Sequence, residues 1–208
     1  MALVKLNNRG VRSATTFGSI SALGEMRFIK KQTASSSATI SFVDGTSDVV
    51  LDNTYKEYLF TFNNIHPGTD DAEFQVGFRD GGTDYDATKT TTAFRAYHFE
   101  SDSGSGVGYQ ASEDLAQATG FQKLGQLQSS QDNDSSGSGY LHLFNPSSTT
   151  FVKHFISNYT HHYTYAAPGS INHYIAGYCN VTAAIDGVQF KMTSGNIDAG
   201  DICLYGIN

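Results

Sequence analysis

Tryptophan is missing from this 208-residue chain and cysteine occurs only twice. No apolar run approaches the ~20 residues needed to span a membrane as a helix. The two cysteines, Cys179 and Cys203, are far too few for a disulfide scaffold. Both fall in apolar, strand-like runs, where free buried thiols are expected, and their spacing leaves a disulfide open. Basic residues are also short: 13 Lys and Arg stand against 20 Asp and Glu, a net charge of −7. That excludes a duplex-binding face, which needs clustered cations to displace counterions from phosphate. The best basic cluster, Arg27, Lys30 and Lys31, reads as a solvated strand edge. No apolar stretch follows Lys5 and Arg9, so synthesis without a secretion signal, in the cytoplasm, is expected. The sequons at Asn158 and Asn180 are then chance matches.

What the chain has is aromatic and β-branched residues in short alternating runs, including 14 Phe and 12 Tyr. Period-two alternation between turn residues signals half-buried strands. Strands are expected over 26–33, 37–43, 57–65, 72–78, 90–99, 140–144, 150–157, 173–181, 185–192 and 202–207. One or two helical turns are expected at 111–117, with Ser112 as N-cap. A bulge is expected at Gly187. Asn145-Pro146-Ser147-Ser148 should join two strands as a hairpin, and 128–139 reads as a long polar loop. Ten to twelve strands predict an all-β, antiparallel two-sheet sandwich of jelly-roll type over residues 26–208. Residues 1–25, small and flexible with isolated Leu3, Val4, Leu6, Val11 and Phe17, read as an extended N-terminal arm that contacts a partner through those five side chains, or equally as a loose terminus packed on its own domain.

Four chemistries can be tested against the pattern. Nucleophilic catalysis lacks its elbow: Gly104-Ser105-Gly106 sits in a loop, and no Gly-x-Ser-x-Gly joins strand to helix. A histidine metal site lacks spacing, because no His-x-His places two rings on one strand face, and adjacent His161 and His162 point oppositely. Asp132-Asn133-Asp134-Ser135-Ser136-Gly137 resembles half a calcium loop, but Leu143 occupies the position of the bidentate acid. No catalytic residue, metal or cofactor is assigned on this basis. Sugar binding has one suggestive stretch, residues 158–165, where extended chain would put Tyr159, Tyr163 and Tyr165 on one face with His162 beside them. Cross-strand tyrosine packing competes with that reading.

Three segments resemble a known family. They are residues 1–20, the stretch His142-Leu-Phe-Asn-Pro-Ser-Ser-Thr-Thr-Phe-Val-Lys-His-Phe-Ile156, and the tail from Phe190 to Ile207. Together they are similar to small virion proteins of marine tailed bacteriophages. The resemblance implies a non-enzymatic particle component, either head decoration or tail-fibre appendage. Its implied partners are other virion proteins and further copies of itself, most simply as a trimer, since symmetric assembly covers open sheet edges. A host-surface glycan is the alternative partner. Nucleic acid and membrane insertion are not expected.

Overall fold

The computed structural model describes residues 26–126, 134–163 and 167–208. The arm residues Leu3, Val4, Leu6, Val11 and Phe17, together with Tyr165, lie outside that range. The described residues form twelve strands: β1 (Met26–Ser37), β2 (Ile40–Val43), β3 (Glu57–Pro67), β4 (Glu73–Arg79), β5 (Lys89–Phe99), β6 (Ser105–Tyr109), β7 (Gln122–Gln126), β8 (Gly137–Phe144), β9 (Lys153–Tyr163), β10 (Gly169–Cys179), β11 (Gly187–Met192) and β12 (Ile197–Ile207). One sheet has eight strands in the order β1-β12-β3-β8-β9-β10-β5-β6, and the other has four in the order β2-β11-β4-β7. Every ladder within the sheets is antiparallel, so the expected two-sheet sandwich is what the chain builds.

The pairing is nested. First strand pairs with last, β1 with β12, and β2 pairs with β11. Inside them β3 pairs with β8 and β4 with β7. Two hairpins interrupt this nest: β5–β6 falls between β4 and β7, and β9–β10 between β8 and β11. Pairing of β5 with β10 and of β9 with β8 joins both hairpins to one side of the large sheet.

Alternation decides the core. Phe60 and Phe62 of β3, Phe74 of β4, Phe42 of β2 and Phe190 of β11 are all fully buried between the sheets. Their rings meet edge-on or stacked at 5.2–5.6 Å between centroids. Such pairs add about 0.5–1.5 kcal/mol each beyond the burial itself.

The structure corrects several local expectations. Residues 37–43 are not one strand. The chain turns a corner at Ser36, whose φ is +50°, and Asn196 Nδ2 donates to the Ser36 carbonyl at 3.0 Å. Residues 111–117 are turns rather than helix, because the segment is lashed to β5: Leu115 N donates to Thr91 Oγ1 at 2.8 Å, and Lys89 and Ala118 exchange backbone bonds. Gly187 keeps regular register with Val43 and Arg79, so no bulge forms there. β6 and β7 were hidden by their glycines. Gly106 lies close under the Tyr97 ring, 3.1 Å from where a Cβ would stand.

Candidate functional site

The residues singled out for sugar binding separate in the fold. Tyr159 is 0% exposed and sits on the inner face of β9, against Phe62 and Phe74 at 6.1 and 5.5 Å. Gly125 and Gly137 are glycine because a Cβ would collide with Tyr159, 2.4 Å from the ring at Gly125 and 2.1 Å from the hydroxyl at Gly137. Tyr159 therefore belongs to the core and cannot stack on a sugar. Tyr163, at the strand end, lies half-buried beside Phe99 with centroids 6.5 Å apart. His162 faces outward, 3.7 Å from Glu100. His161 and His162 do point to opposite sides, as alternation requires.

His162 lines an open cleft of about 600 Å³ at the β9–β10 turn end of the large sheet. Ser136, Ser138, Thr160 and Ser170 supply hydroxyls, His98 and Glu100 line it, and Phe99 gives an apolar wall. His161 also contributes to the lining although it is only 3% exposed. Neither of its ring nitrogens has a hydrogen-bond partner among the described residues.

Behind this cleft lies a buried polar cluster that alternation did not reveal. His161 and His173 occupy adjacent strands two residues off register, on the same face, and stack at 5.3 Å. His173 Nδ1 donates to Glu113 Oε2 at 3.0 Å. Arg95 stands opposite His173 on β5. Burial holds the His161 imidazole well below its usual range, and His173, Arg95 and His162 push the same way. Burial pushes the Glu113 carboxyl up, but the His173 bond, with the charges of His173, Arg95 and Lys123, outweighs it and leaves the group below its usual value. The signal that could have found this cluster is the parity of His161 with Tyr159, Ser157 and Phe155.

A second buried row crosses three strands. Cys179 of β10 pairs with Lys153 of β9 on one side and Lys89 of β5 on the other. Both lysines are fully buried. Lys89 Nζ donates to the carbonyl of Gly120 at 2.8 Å, and Lys153 Nζ to those of Val181 at 2.8 Å and Ala183. Each ammonium thus staples a loop that would otherwise bury bare carbonyls. Burial lowers both lysines. It also pushes the Cys179 thiol up to about 12, against the pull of the two ammonium groups, so the sulfur stays protonated and inert. Cys179 and Cys203 are both free.

Among the described residues, no three His, Cys, Asp or Glu side chains converge as a metal site. Asp132 and Asn133 of the half-calcium pattern lie outside those residues, and Asp134 lines a polar cleft with Asn64, His66 and Asp198. The chain matches no protein-family model, no curated protein and no solved structure.

Proposed function

We propose that this protein is a non-enzymatic structural component of a phage virion, exposed on the particle as head decoration or tail appendage. It docks through residues 1–25 and associates with copies of itself. The observation that carries the reading is the nested pairing. The order β1-β12-β3-β8 over β2-β11-β4-β7 supports a jelly roll extended by two hairpins, and jelly rolls recur in viral capsids and lectins. Fold alone does not assign function; the likeness of the chain's opening, middle and tail to phage virion proteins supplies the rest. The test is mass spectrometry of purified particles of the encoding phage. The chain should be present, and deletion of residues 1–25 should abolish incorporation while the β-type circular dichroism persists. Its absence from particles would sink the reading.

The cleft favours a second reading, a host-surface glycan site. Hydroxyls, His162 and Glu100 offer hydrogen bonds, and Phe99 an apolar wall. His162→Ala should then abolish binding on a glycan array. An array blank for the wild-type chain removes this reading.

A further inference from the structure

The outward face of β8, β9, β10, β5 and β6 differs from every other surface of the sandwich. Its positions are Ser138, Tyr140, His142 and Phe144 on β8, then the even-numbered residues of β9 from His154 to His162. They continue with the even residues of β10 from Ser170 to Tyr178 and of β5 from Thr90 to His98, and with Ser105, Val107 and Tyr109 on β6. None is Lys, Arg, Asp or Glu, in a chain that carries 33 formally charged side chains if its 13 Lys and Arg and 20 Asp and Glu are taken together. Those charges sit elsewhere. Lys31–Asp201 lies on the β1–β12 half of the same sheet, and Lys123–Glu73 and Arg79–Asp186 lie on the outside of the small sheet. Among the described residues, carboxylates reach this face only at its rim. There Asp102 meets His98, Glu100 meets His162, Asp114 accepts from the Tyr109 hydroxyl, and Glu57 Oε2 lies 2.8 Å from His142 Nε2 outside hydrogen-bond geometry.

An aromatic ladder crosses the middle of this face. Tyr140 pairs with Asn158, Asn158 with Tyr174, Tyr174 with Phe94, and Phe94 with Tyr109, in unbroken register over five strands. Four strand spacings make it roughly 19 Å long. Four of its five members are exposed, as is Ile156 in the next row. Aromatic enrichment with loss of charge is the compositional mark of an interface centre.

We infer that this face is the surface through which the protein pairs with a second copy of itself, face to face about a twofold axis. The inference deepens the self-association in the proposed function and rests on it. Three observations select a second copy. The first is electrostatic: two chains of net charge −7 repel, and a face without formal charge is where identical molecules approach at least cost. The second is area. Five strands of up to eleven residues present roughly 800 Å² per copy, the share each partner contributes to a standard interface. The third is ring orientation. Phe94 and Tyr174 stack on each other at 4.7 Å and 7° across neighbouring strands, so each covers one face of the other and both rings stand edge-up on the sheet. Edges interdigitate with another sheet, whereas a sugar needs an open ring face. A twofold contact uses one patch twice, so the unit proposed is a dimer, whereas the family resemblance implied a trimer.

The test is sedimentation velocity of the full chain over a concentration series, for wild type, Tyr174→Asp, Phe94→Lys and a small-sheet control, Gln189→Asp. Like charges facing each other across the twofold should weaken dimerisation by roughly a hundredfold or more. Both face variants should run as monomers with unchanged circular dichroism, and the control should remain dimeric. A wild-type chain that is monomeric throughout overturns the inference, as does association that survives both face variants. A monomeric chain that binds an oligosaccharide, with binding lost in Tyr174→Ala, also overturns it and gives the face to sugar. Particle incorporation is read separately and tests only the virion reading: absence of the wild-type chain from particles sinks that reading and leaves the dimer face to stand or fall on sedimentation.

Discussion

At the scale of single residues, the buried polar groups set the pH response. His161 is held neutral in the folded chain, below its ordinary 6.5. Below pH ~6.5 the unfolded chain therefore takes up a proton that the folded chain refuses, and stability falls by up to about 1.4 kcal/mol per pH unit. Glu113 adds to this at lower pH. Its depressed carboxyl contributes stability above the ordinary 4.5, and this is lost as pH falls through the folded value. Urea unfolding of His161→Phe should match wild type within ~1 kcal/mol at pH 8 and show a flatter decline between pH 6.5 and 5. An unchanged slope would remove His161 as its source. Around Tyr159, Gly137→Ala should cost about 2–3 kcal/mol in the same assay, because the added methyl meets the hydroxyl end of a fully buried side chain packed between Phe62 and Phe74. The sequence made legible which residues share a strand face. It did not say which face the second sheet covers, and that is why Tyr159, chosen for a sugar platform, turned out to be core.

At the scale of elements, strands with strong alternation, such as β3 and β10, could be read from the chain directly. β6 and β7 could not. Glycine there answers to neighbours on other strands, the Tyr97 ring across the β5–β6 hairpin for Gly106 and the far-off Tyr159 ring for Gly125. Residues 111–117 depart from the expected helical turns for a related reason. Their local helix signals are weaker than their bonds to β5 and to His173. Lys89 anchors this segment through the Gly120 carbonyl. Lys89→Met removes that donor and leaves the carbonyl bare, at ~1–2 kcal/mol. Amide exchange at Leu115 and Ala118 should rise about tenfold, while β3 and β12 keep their protection. Equal acceleration across both regions would mean that the lysine supports the whole fold rather than this loop.

At the scale of the whole molecule, alternation gave the two-sheet class but not the order of strands, since period two carries no information about long-range partners. That order has a kinetic side. Met26 pairs with Ile207 and Ser37 with Ile197, so most of the chain must be threaded between the two halves of one ladder. Folding dominated by such distant contacts is slow, milliseconds to seconds in isolated domains. Refolding from urea should show this, and a chain cut after Asn196 should lose cooperative unfolding, because β1 and β3 both surrender β12. On the ribosome the nascent polypeptide must wait with β1 unzipped until residues near position 207 emerge. Until then its open edge is a template for any passing strand, a hazard written into the connectivity itself.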